Sequence, residues 1–159
     1  MRRNVLFLLI GWFYLVIFSV LRGILGSRFL FDPLMVMVIY GIWRRYSPEA
    51  ILLLVLIGDL LGGEVLGLQT MSKMSMGLIL QGLLSLTRPS FLWLFPMVLV
   101  FSYLGFIFQE LLGHLTSLWV FSLPSFKLAL FTALSALFIF PLNDYIFKNV
   151  RLLYVERLP

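Results

Sequence analysis

The chain has 159 residues, 62% of them hydrophobic and only 12% charged, with twelve Lys and Arg against seven Asp and Glu and no Cys. Soluble domains carry about 25% charged residues, so this composition excludes a water-facing globular surface, and the lack of Cys excludes disulfides, thiolate nucleophiles and Cys-ligated metals. The net charge of +5 does not point to nucleic acid, because the basic residues sit between apolar runs and form no stripe interleaved with exposed aromatics.

Six apolar segments follow one another at 4–21, 29–43, 48–61, 66–86, 91–112 and 126–147, with a mixed tail at 148–159. They predict an all-α polytopic membrane protein, a single transmembrane domain over 1–159 built as a compact bundle of about six helices. The first segment follows Arg2-Arg3 like a signal peptide, but no small-x-small cleavage site precedes Arg22, so it reads as a retained helix. The second opens on Asp32-Pro33, an Asp suited to accept orphan N–H groups and a Pro suited to the first turn. The second and third segments are short. Fifteen residues span only about 22 Å as helix, so these two need local thinning, snorkelling or interior packing; merged into one re-entrant pair they would count as a single segment, leaving five.

The third segment ends in Gly58-Asp59-Leu60-Leu61-Gly62-Gly63, and Gly67 follows. An Asp at a helix centre costs about 2.5 to 3.5 kcal/mol in a bilayer, so Asp59 is expected to face the interior or a partner. Lys73 is its natural mate, at a similar distance from the Gly62–Gly67 turn on the antiparallel fourth helix. A relay or catalytic carboxylate is the sharper reading of Asp59, and a buried structural pair is the better one. In the fourth segment Gln69, Lys73, Gly77 and Gln81 recur every fourth residue, within an arc of about 120°. Such a face could line a ligand cavity, but packing against other helices through hydrogen bonds is the better reading.

In the fifth segment Glu110 and His114 form an i, i+4 pair, too few ligands for a metal site. Pro96 and Pro141 predict kinks, and Asn143-Asp144 reads as a solvated border. Neither a nucleophile-base pair, a phosphate loop nor a zinc pattern is present, so enzyme activity and a cofactor are not expected. With both termini cytoplasmic, that side holds Arg2, Arg3, Arg44, Arg45, Arg88, Lys148, Arg151 and Arg157, against Arg22, Arg28 and Lys127 outside, as the positive-inside rule requires.

Asp32-Pro33 leading a helix with Tyr40, a basic break, then Gly58-Asp59-Leu60-Leu61-Gly62 and Leu66-Gly67-Leu68 resembles the rod shape-determining protein MreD family. The motif likeness covers roughly residues 30 to 90 and rests elsewhere on hydropathy. Its commoner signature puts Gly a turn before the Asp, where this chain has Gly58 adjacent. The resemblance implies a non-catalytic scaffold in the bacterial inner membrane that links the bitopic protein MreC, the MreB filament and the wall glycosyltransferase and transpeptidase, with lipid contacts and a possible homo-oligomer. Asp32, Pro33, Gly58, Asp59, Gly62 and Gly67 of this motif, with Gln69, Lys73, Gly77 and Gln81 of the fourth segment's polar face, are the structural or partner-binding candidates. The architecture is similar to the substrate-binding subunits of energy-coupling-factor transporters, so a vitamin-binding component is the alternative. A lipoprotein signal peptidase is a third reading, but its helix motifs are missing, and Asp59 and Asp144 are expected at different depths.

Overall fold

The computed structural model describes residues 2–25, 31–62, 67–86, 90–116, 120 and 123–155. Among them there are six α-helices and no strand: α1 (Arg2–Leu25), α2 (Pro33–Trp43), α3 (Pro48–Gly62), α4 (Leu68–Leu86), α5 (Leu94–Leu115) and α6 (Phe126–Val155). The expected all-helical bundle is therefore present. Three helices are long and apolar enough to cross a membrane, over Arg3–Leu21, Leu94–Leu115 and Phe126–Asn149. The protein is accordingly a helical membrane protein. Large apolar side chains face outward along these helices, among them Leu9, Phe13 and Val20 of α1 and Phe131 and Phe138 of α6. That is the arrangement a hydrocarbon solvent allows.

The short α2 is the axis of the bundle. It packs against all five other helices, and every residue from Pro33 to Gly41 is buried. A run apolar on all sides is what a helix enclosed by protein requires, so α2 is short because it meets little lipid. Interior packing, one of the three remedies open to a short segment, is the one found here.

The helices alternate in direction. The start of α1, the α2–α3 turn and the later part of α6 meet at one end, where Arg3 donates to the Arg44 carbonyl and Arg44 pairs with Asp144. The other end collects the start of α2, the end of α3 and the start of α4.

Two expectations are corrected. Pro96 does not kink a helix, because a 3-10 turn at Phe91–Trp93 comes first and Pro96 falls in the first turn of α5, where no intrahelical N–H bond is lost. Asn143 is not solvated either. α6 continues to Val155, which leaves Asn143 fully buried, accepting from the Tyr14 hydroxyl at 3.1 Å and donating to the Met37 sulfur at 3.3 Å.

Candidate functional site

Two groups of polar residues lie within the apolar bundle at the Asp32 end. The first is built on the α4 N-terminus. Gly67 accepts the opening bond of that helix from Met71 N–H at 2.8 Å, which makes it the N-cap, and glycine has no side chain to satisfy the orphan donors that follow. Asp59 supplies the acceptor from α3. Its Oδ2 accepts the Gly67 N–H at 3.1 Å, the Thr70 N–H at 3.0 Å and the Thr70 hydroxyl. These are the two backbone bonds that a local capping box would make, delivered by one carboxylate of a neighbouring helix. The positive end of α4 also favours a negative charge there; only 2% of the Asp59 surface is exposed, and its Oδ1 is buried without a hydrogen-bond partner.

The expected Asp59–Lys73 pair is not formed. Lys73 turns to α2, with Nζ 3.0 Å from Asp32 Oδ2 and 2.9 Å from Gln69 Oε1. Asp32 divides its two oxygens. Oδ1 accepts the Met35 N–H at 3.1 Å, the expected helix cap, while Oδ2 holds the ammonium. The Asp32 N–H donates to Thr132 Oγ1 at 3.1 Å, and that hydroxyl donates in turn to the Leu128 carbonyl at 2.8 Å. One short stretch thus ties α2 to α4 and α6. Thr70 and Thr132 were not singled out in the sequence; the signal for Thr70 is its place three residues after a glycine N-cap.

The remaining expected residues fall around this knot. Pro33 occupies the first turn of α2. Gly58 lets α3 close on α2, since a Cβ there would lie 2.5 Å from Leu34 Cδ2. Gly62 is the last residue of α3, while the turn residue Gly63 lies outside the described residues. Gly77 faces Ile42 and Val38 of α2, and Gln81 is exposed. The spaced polar face of α4 is thus not one surface: its first half is interior and its last member points outward. Beside the knot lies a cavity of about 300 Å³ lined by α1, α2, α3 and α4, with Ser19, Asp32 and Gln69 as its polar groups among Leu15, Phe18, Leu34 and Leu61. That is the lower limit for small-molecule pockets.

The opposite end is basic. The Tyr40 hydroxyl donates to Asp144 Oδ1 at 3.0 Å, and Asp144 also pairs with Arg44. The Arg3 guanidinium lies 4.3 Å from the Tyr46 ring centre, and Phe7 stacks on the same ring. Burial pushes the Tyr46 phenol above its ordinary pKa, with Arg3 pulling the other way. Asn4 donates to Ser47 Oγ at 2.8 Å. Asp59 and Asp144 therefore lie at opposite ends of the bundle, and among the described residues no three His, Asp or Glu gather as a metal site.

No family model, curated protein or solved structure matches the chain.

Proposed function

We propose that the chain is a non-catalytic scaffold subunit of the bacterial cell-elongation complex, of the MreD type. In this reading it sits in the cytoplasmic membrane with both termini inside and joins the bitopic MreC to the MreB cytoskeleton and the peptidoglycan synthases. What carries the reading is the work done by the residues of the resemblance. Asp32, Asp59 and Gly67 are engaged in holding α2, α3 and α4 together, and Lys73 completes the neutral pair with Asp32. Charges committed in this way stabilise a scaffold. The separation of Asp59 from Asp144 further counts against a two-acid peptidase.

One observation favours a second reading. A vitamin-binding subunit of an energy-coupling-factor transporter needs an outward cavity with convergent polar groups, and the cavity beside Asp32 and Gln69 lies at the end opposite the basic cluster. Affinity purification of the tagged protein in mild detergent, followed by mass spectrometry, separates the two. Recovery of a bitopic MreC-like protein with wall synthases supports the scaffold; recovery of energising ATPase subunits or a bound vitamin overturns it in favour of the transporter.

A further inference from the structure

The turn between α2 and α3 closes in a way that its sequence makes costly. Tyr46 N–H reaches back to the Gly41 carbonyl at 2.8 Å and Arg45 N–H to the Ile42 carbonyl at 3.1 Å. These are the paired bonds of a Schellman C-cap, in which the residue at Arg45's position takes the left-handed conformation that glycine adopts freely. Arg45 does so, with φ of 55°, the one non-glycine residue with positive φ among the described residues. A left-handed residue bearing a Cβ is strained, and a strained position that survives directs attention to its side chain.

The neighbouring arginines are committed to the fold. Arg3 lies over the Tyr46 ring and donates to the Arg44 carbonyl, and Arg44 is neutralised by Asp144. Arg45 is exposed and makes no side-chain ion pair or hydrogen bond among the described residues. We propose that the Arg45 guanidinium is held out of this turn as a binding site for the phosphate of an anionic phospholipid.

The choice of a lipid follows from where the turn sits. Beneath it Leu52 and Leu53 of α3 and Val5 and Leu9 of α1 are exposed apolar side chains, the surface that acyl chains cover. Trp43, half-buried at the end of α2, flanks the turn with the kind of amphipathic ring that favours the headgroup level. Lys148, also exposed at this end, lies one turn of α6 beyond Asp144 and adds to the attraction. A planar guanidinium with five donors matches a phosphate better than an ammonium does. The Schellman geometry fixes the backbone from which it projects, so only the side chain is ordered on binding. The site is independent of which complex the protein joins.

The strain makes the proposal testable by a single substitution with opposite effects. Arg45→Gly removes the cation and relieves the left-handed strain. In the full chain in neutral detergent, its thermal midpoint should rise above that of the parent. Native mass spectrometry with phosphatidylglycerol should show binding weakened about fivefold, the equivalent of about 1 kcal/mol for one basic residue at an anionic surface. Phosphatidylcholine binding should be unchanged, and Arg45→Lys should lose less than Arg45→Gly. A variant that is more stable yet binds phosphatidylglycerol as the parent does overturns the site and leaves an acidic protein segment as the occupant of the turn. A variant that melts lower, or that loses both lipids equally, also overturns it.

Discussion

At the scale of single residues, the buried charges divide the labour differently from what their spacing implies. Lys73 and Asp32 form the pair, and Asp59 acts as a cap. Truncating one member of a buried pair leaves the other uncompensated, which costs about 3 to 5 kcal/mol. Lys73→Met should therefore lower the thermal midpoint in detergent strongly. Asp32→Asn keeps an oxygen for the Met35 N–H but discards the charge, so adding it to Lys73→Met should restore part of the loss. A double-mutant cycle on the four proteins measures this, with a coupling of about 0.5 to 3 kcal/mol expected. Zero coupling there, or coupling of Lys73 with Asp59 instead, contradicts the assignment. Asp59→Asn should be mild by comparison, because its carbonyl oxygen can replace Oδ2, whereas Asp59→Leu strips the α4 cap and should cost about 1 to 2 kcal/mol.

At the scale of elements, the helix order and most boundaries were legible in the sequence, because apolar runs of given length and Gly, Pro and Arg breaks are local properties. The cap at Asp32-Pro33 was legible for the same reason. The lateral choice was not: Asp32 and Asp59 lie near the same end of the bundle, and hydropathy fixes depth without fixing which helix stands beside α4. Nor does it show that α2 is enclosed, which decides whether Lys73 meets α2 or α3. The α3–α4 junction gives a prediction at this scale. Gly67 has φ of +91°, a left-handed conformation that costs a residue with a Cβ about 1 to 2 kcal/mol, and its N–H is held by Asp59 at 3.1 Å. Gly67→Leu has open space for its side chain, so its penalty is conformational. It should lower the thermal midpoint while retaining full helicity by circular dichroism, and under the proposed function it should reduce recovery of an MreC-like protein. A midpoint equal to the parent's would show that the turn tolerates the strain.

At the scale of the whole molecule, the number of crossings depends on whether α2 and α3 traverse the bilayer or dip into it. At about 1.5 Å per residue, the 11 residues of α2 and the 15 of α3 cover about 16 and 22 Å of a hydrocarbon core about 30 Å thick. Length alone therefore favours a re-entrant hairpin. Contacts argue otherwise, because the turn joining the two helices meets residues at the very start of α1, with Asn4 bonded to Ser47 and Arg3 to the Arg44 carbonyl. The turn thus reaches the level at which α1 enters the membrane, and the enclosed α2 need not match the lipid thickness by itself. The sequence has no Cys, so single cysteines can report the side of each loop to a membrane-impermeant maleimide. Val120→Cys, an exposed position between α5 and α6, should react in intact cells. Glu49→Cys at the start of α3, Ser90→Cys before α5 and Lys148→Cys on α6, all exposed, should react only after permeabilisation. A Glu49→Cys that stays unlabelled after permeabilisation, while Ser90→Cys and Lys148→Cys are labelled, would bury the turn at mid-depth and reinstate the re-entrant pair. Labelling of Glu49→Cys together with Ser90→Cys makes both short helices crossings, and the bundle has six.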